Sequence, residues 1–115
     1  MIRRADDLKV DVKEAWRGGP GKGSMTQFAT REEMLDNARV FGMMTFEPGC
    51  GIGIHKHEWE MEAYYIVEGY GEYFDNDRNF KVFAGDVTIC PPGEQHGITN
   101  IGDTPLKVIA LVVMQ

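Results

Sequence analysis

Apolar residues in this chain recur mostly at every second position, the period of a strand with one buried face. Leu8, Val10 and Val12 alternate with charged neighbours, which predicts an extended, half-buried arm over residues 2–16. GGPGKG at 18–23 interrupts the alternation and predicts a flexible loop. A short strand over 24–29 comes next. In TREEMLDNA at 30–38, Thr30 and Glu33 have the spacing of a capping box, which predicts one helical turn. RVFGMMTFEPG at 39–49 reads as an apolar strand stopped by Pro48 and Gly49. Beyond it the pattern stays β, with turn residues near 49–53, 69–71, 75–79, 85, 91–93 and 102–105. LKVIALVVM at 106–114 has the length and β-branching of a buried strand. Many short strands at this spacing predict an all-β sandwich or barrel.

Two local motifs are set aside on physical grounds. In the glycine-rich loop Lys22 precedes Gly23 instead of Ser or Thr, and no strand–loop–helix frames it, so it is not read as a phosphate loop. DNDRN at 75–79 begins like a calcium loop but has Phe80 where such a loop needs glycine, so a hairpin turn is expected.

Composition narrows the function. The 115 residues suit one domain, expected as an arm and loop over 1–23 and a barrel over 24–115. Eighteen acids against twelve bases give a net charge of −6, which disfavours a nucleic-acid surface. No apolar run reaches bilayer length, and the first sixteen residues lack the apolar core of a signal peptide. A cytoplasmic protein with Cys50 and Cys90 as reduced thiols is therefore expected.

The three histidines are the informative residues. His55 and His57 flank Lys56 on a stretch expected to be extended. Residues two apart on a strand share a face at about 7 Å, close enough for two imidazoles to converge on one ion at about 2.0–2.1 Å. On a helix the same spacing would turn them apart. Alone, the pair fits two exposed histidines on a charged strand equally well.

The surrounding residues extend the pattern. Gly49, His55, His57, Glu62 and Gly69 stand at the spacing of the first conserved motif of the cupin superfamily. Gly85, Pro91, Gly93, His96 and Asn100 stand at the spacing of the second, fifteen residues further on. The chain thus resembles a small stand-alone monocupin of the oxalate-decarboxylase-like group. The resemblance implies a jelly-roll (double-stranded β-helix) barrel and one divalent metal held by His55, His57, Glu62 and His96. Glu58 and Glu60 miss the motif spacing and are expected to be rim or surface acids.

Further expectations attach to single residues. Gly49, Gly69 and Gly85 should occupy turns needing positive φ, and Pro91 and Gly93 a bend that returns His96 toward the first pair. Asn100 should bond a turn. Trp59 is expected to pack at the barrel rim, and Tyr64 and Ile66 share the strand parity of Glu62. Without thiolate among its ligands the site does not suit structural zinc, and manganese, iron, nickel, cobalt, copper and catalytic zinc all remain compatible.

The expected function is a metal-dependent enzyme acting on a small carboxylate-bearing or enolisable molecule, by decarboxylase, dioxygenase or lyase-like chemistry. The alternative is a non-catalytic small-ligand binder or sensor. The resemblance also implies a homodimer, with no nucleic-acid or membrane partner.

Overall fold

A computed structural model describes residues 1–115. Ten strands follow in chain order: β1 (Val10–Glu14), β2 (Lys22–Gln27), β3 (Ala38–Phe46), β4 (Gly51–Lys56), β5 (Glu60–Glu68), β6 (Tyr70–Asp75), β7 (Arg78–Phe83), β8 (Val87–Cys90), β9 (Gln95–Asn100) and β10 (Leu106–Met114). They form a six-stranded sheet, β1-β2-β3-β10-β5-β8, and a four-stranded sheet, β4-β9-β6-β7. Every neighbouring pair is antiparallel. The alternation predicted an all-β sandwich or barrel, and the arrangement is the jelly roll that the motif resemblance implies.

Alternation decides which side chains enter the barrel. On β10, Leu106, Val108, Ala110 and Val112 are buried, while their neighbours face outward. The same parity sends Glu62, Tyr64 and Ile66 of β5 inward, as expected. Met44, Phe46, Ile52 and Ile98 join them in one core between the sheets. A one-residue slip would turn each set to solvent, so burial fixes the register.

The amino-terminal third departs from expectation. Only Val10–Glu14 of the arm forms a strand, and all five residues are exposed, because β1 is an edge strand paired with β2 alone. Residues 5–7 form a 3₁₀ turn instead. The loop expected over 18–23 is shorter and packed: Lys22 and Gly23 already belong to β2, which was expected from residue 24, and Gly19 is buried. A Cβ on Gly19 or Gly53 would collide with the other's backbone, so the two glycines let residues 15–19 lie directly on β4.

Residues 31–36 form turns without a helix, since Leu35 and Asp36 adopt left-handed φ values of 58°. The capping pair still forms. Thr30 N–H donates to Glu33 Oε1 at 2.8 Å and Glu33 N–H donates to Thr30 Oγ1 at 3.1 Å. Capping without a helix shows that the motif specifies only the first turn.

The hairpin expected at 75–79 joins β6 to β7, with Asp75 opposite Arg78. Gly49, Gly69 and Gly85 all have positive φ. The Asn100 side chain donates to the carbonyls of Phe46 and Thr104 and accepts from Gly102 N–H, so it braces turns inside the core.

Candidate metal centre

Both sheets contribute to the site. His55 on β4 lies directly opposite His96 on β9, and a register irregularity between Ile52 and His55 precedes the pair. His57 follows the end of β4 and is pinned to the 91–94 turn by two backbone bonds. Its N–H donates to Glu94 O at 3.1 Å, and its carbonyl accepts from Gly93 N–H at 2.6 Å. The Pro91-x-Gly93 bend therefore sets His57 as well as His96. Glu62 reaches across from β5 in the other sheet. Between them, Trp59 takes a left-handed φ of 64° that reverses the chain.

The four side chains converge. One donor atom from each lies within 4.8 Å of the others, and all four residues are buried or nearly so at the side chain. Glu62 Oε1 is 2.8 Å from both His57 Nε2 and His96 Nε2, and 3.4 Å from His55 Nε2. His57 Nε2 and His96 Nε2 are themselves 3.1 Å apart. Two ligands at right angles on an ion, each at about 2.1 Å, are separated by about 3 Å. The cluster has the spacing of donors gathered around one ion.

The outward ring nitrogens strengthen the fit. His55 Nδ1 donates to Gly53 O at 2.7 Å, and His57 Nδ1 donates to Glu60 Oε1 at 2.9 Å. His96 Nδ1 lies 2.7 Å from the Tyr73 hydroxyl. With an ion bound, rings that keep their proton on Nδ1 would present the Nε2 lone pairs that a metal requires, and without one the same Nε2 atoms can carry protons toward Glu62. Tyr64 stacks on His96 with centroids 4.7 Å apart and planes 17° apart, so the ring is clamped on its face and at its edge.

Glu60 is thus no surface acid, contrary to expectation. Arg39 Nε donates to its Oε2 at 2.7 Å and Arg39 NH2 to its Oε1, so a chain runs Arg39–Glu60–His57. Those bonds, with Arg39 the foremost, hold the Glu60 carboxyl down at about 2. Glu58 does sit on the surface, 3.6 Å from Lys56. Trp59 is 75% exposed and borders an outer groove with Lys56 and Pro92, so the expected rim packing is absent.

Burial and charge act oppositely on the cluster. Burial favours protonation of Glu62, but bonds from His55, His57 and His96 together overcome it and hold the carboxyl far below its usual range. Burial pushes the His96 imidazole down, with Glu62 opposing. Burial also works against the charged form of His57, yet bonds from Glu62 and Glu60 prevail and raise it. Cys90 is free, and burial first, then the charge on Glu62, pushes its thiol up to about 11, which makes it a packing residue. Cys50 is also free.

A cavity of about 60 Å³ opens beside His55, His57 and Glu62. Trp16, Arg17, Arg39, Met44, Ile52 and Val112 complete most of its wall. Trp16 packs on Phe46 at 5.8 Å, anchoring a 3₁₀ turn over Trp16–Gly18. Ala15 and Arg17 in this turn have φ of 47° and 52°. Left-handed non-glycine residues cost about 1 kcal/mol or more each, which the packed surroundings must offset. Glu60, Arg39, Trp16, Arg17 and Tyr73 have no motif spacing, so nothing in the residue pattern marked them.

Comparison with known proteins agrees with this geometry. A model described as cupin domain matches residues 42–114. An "oxalate-binding protein" of Thermotoga maritima is 37% identical over 114 residues, covering 99% of this chain and 94% of its own. A crystal structure from the same organism, described as a predicted oxalate decarboxylase, superposes with a TM-score of 0.96 at 36% identity over the whole of both chains. Auxin-binding protein 1 of Arabidopsis thaliana is 24% identical over 97% of this chain and 58% of its own. The chain belongs to the cupin family, and its fold is the cupin jelly roll. Its buried His55, His57, Glu62 and His96 form a cluster suited to one metal ion.

Proposed function

We propose that His55, His57, Glu62 and His96 hold one divalent transition metal, and that the protein binds a small carboxylate there. The observation that carries this reading is the convergence of four donor atoms within 4.8 Å while each histidine's Nδ1 is separately engaged. When bound, such an ion supplies a Lewis acid that takes carboxylate oxygens and stabilises negative charge. The chain's own contribution is to hold the histidines in the right tautomer and to bound the ligand's size. The cavity of about 60 Å³ beside the donors is small and open on one side, which favours a small ligand at the ion. The name of the oxalate-binding relative supports a small carboxylate as the ligand.

Binding is favoured over turnover because no unengaged acid lines this cavity. Glu62 belongs to the donor set and Glu60 is tied to Arg39 and His57. Decarboxylase, dioxygenase or lyase-like turnover is the second reading, supported by the open cavity alongside the donors. Calorimetry of manganese-loaded protein with oxalate tests the first. Saturable binding that disappears with the metal is the expected result, and no binding at millimolar oxalate would refute it. Product analysis of the same samples, with manganese and with iron under air, separates binding from turnover.

A cytoplasmic homodimer completes the reading. Tyr65, Val67, Val87 and Ile89 leave apolar surface uncovered on the outer face of β5 and β8, which supports a partner copy there. Light scattering that gave the monomer mass at high concentration would remove this part.

A further inference from the structure

The outer nitrogens of the three histidines face different kinds of partner. His55 Nδ1 faces the Gly53 carbonyl at 2.7 Å, and His57 Nδ1 faces the Glu60 carboxylate at 2.9 Å. Both partners only accept, so both rings keep a proton on Nδ1. His96 Nδ1 faces the Tyr73 hydroxyl at 2.7 Å, and a hydroxyl can donate or accept. His96 alone can therefore take either tautomer without losing its outer bond.

A second observation comes from the residues packed around this pair. Two buried hydroxyls, those of Tyr64 and Thr88, have no hydrogen-bond partner. Thr88 on β8 stands opposite Tyr64 on β5, and both residues are buried. The Tyr64 ring meets the Tyr73 ring edge-on at 6.1 Å and stacks on His96 at 4.7 Å. Burial pushes the Tyr73 phenol up, and the Thr88 hydroxyl beside it is the neighbour that opposes this. A buried hydroxyl without a partner costs about 1–3 kcal/mol, so an unpartnered Thr88 Oγ1 next to a phenol needs a reason.

Proton placement supplies one. His96 Nε2 lies 2.8 Å from Glu62 Oε1, a donor's distance from a carboxylate. With its proton there, Nδ1 is bare, Tyr73 O–H donates to it, and Thr88 Oγ1 receives nothing. A ring that offers its Nε2 lone pair to an ion must carry the proton on Nδ1 instead. Tyr73 then accepts, and its own proton needs another acceptor inside the core. The neutral imidazole holds one proton in both states, and the phenol keeps its own throughout.

We propose that Tyr73 and Thr88 are positioning residues for His96: in the metal-loaded protein Tyr73 accepts the Nδ1 proton and donates its own to Thr88 Oγ1, the acceptor left unused in the metal-free fold. This inference rests on the four-donor site proposed above.

Zinc titration of the full-length chain, by competition against a chromophoric chelator, tests it in the parent, Tyr73→Phe, Thr88→Val and Thr88→Ser. Tyr73→Phe should lower zinc affinity about 10- to 100-fold, the range for an outer partner of a ligating histidine. Thr88→Val keeps the shape and removes the oxygen. It should lower zinc affinity about 3- to 10-fold, the range of one hydrogen bond, while the metal-free protein melts no lower than the parent. Thr88→Ser keeps the oxygen and should stay within about twofold of the parent. A threonine with only a packing role would change the melting temperature and leave zinc affinity alone. Nitrogen NMR of the imidazole rings gives an independent reading. His96 should carry its proton on Nε2 without zinc and on Nδ1 with it, whereas His55 keeps its Nδ1 proton in both states. His96 protonated at Nδ1 in both states, or zinc affinity unchanged in Thr88→Val, overturns this inference while the metal site stands. A parent chain that binds no zinc would refute the four-donor site itself, and this inference with it.

Discussion

Replacing Glu60 with alanine probes the link between the barrel wall and the metal centre. The side chain accepts the His57 Nδ1 proton at 2.9 Å and is forked by Arg39 at 2.7 Å through Nε. Without it, His57 loses the bond that fixes its tautomer, and the half-buried Arg39 is left without its partner. Loss of such an outer partner typically lowers metal affinity about 10- to 100-fold, or about 1.4–2.7 kcal/mol. Glu60→Gln keeps an acceptor but loses the charge, and should fall between the parent and alanine. Competition against a chromophoric chelator, with manganese or zinc at pH 7.5, measures the effect directly. A Glu60→Ala protein that melts normally and binds metal within twofold of the parent would refute the argument and return Glu60 to the surface acid that motif spacing implies.

Other outcomes follow from the same geometry. Metal must displace protons from histidine, and His57 holds its proton above the usual range, so apparent metal affinity should decline as pH falls from about 8 toward 5; affinity that is flat across that window in chelator competition would count against three imidazole ligands. Glu60 and Glu62 have folded pKa values below their unfolded ones, so the stability they lend to the metal-free protein is present above about pH 4.5 and lost progressively below it; urea unfolding that is unchanged between pH 6 and pH 3 would contradict this. Gly53→Ala should push the added methyl against the backbone of Arg17 and Gly19, costing about 1–3 kcal/mol by overpacking and lowering the melting temperature by several degrees. An unchanged melting curve with unchanged oxalate binding would show that the turn over 15–19 does not depend on this contact. Saturating metal at about 100 times its Kd should stabilise the folded chain by about 2.7 kcal/mol, and no shift in calorimetry with any divalent ion would argue against a native site.

Much of the fold was legible because alternation reports a local property. The inward parity of Glu62, Tyr64 and Ile66, and of the four buried residues of β10, follows from the two-residue period of a strand. The same period failed for Val10 and Val12, which are 57% and 64% exposed, because alternation cannot say whether another layer covers the face. The capping pair Thr30–Glu33 formed as its spacing requires, yet residues beyond it left the helical region at Leu35. Local bonds of this kind can start an element, but only packing extends it.

The sequence by itself determined the four candidate donors, since His55 and His57 share a strand face and Glu62 and His96 complete motifs of fixed spacing. Their meeting point depends on strand pairing across two sheets, with Glu62 on β5 and the histidines around β4 and β9. The tertiary structure alone decided what surrounds them. Glu60 turned from surface acid to the partner of His57, and Arg39 and Tyr73 arrived from strands 18 and 23 residues distant in the chain from His57 and His96, respectively. Arg17 reached the cavity because Gly19 and Gly53 allow a close backbone approach. Such contacts carry no periodicity or spacing signal. They exist only once the barrel has closed and brought distant segments against one another.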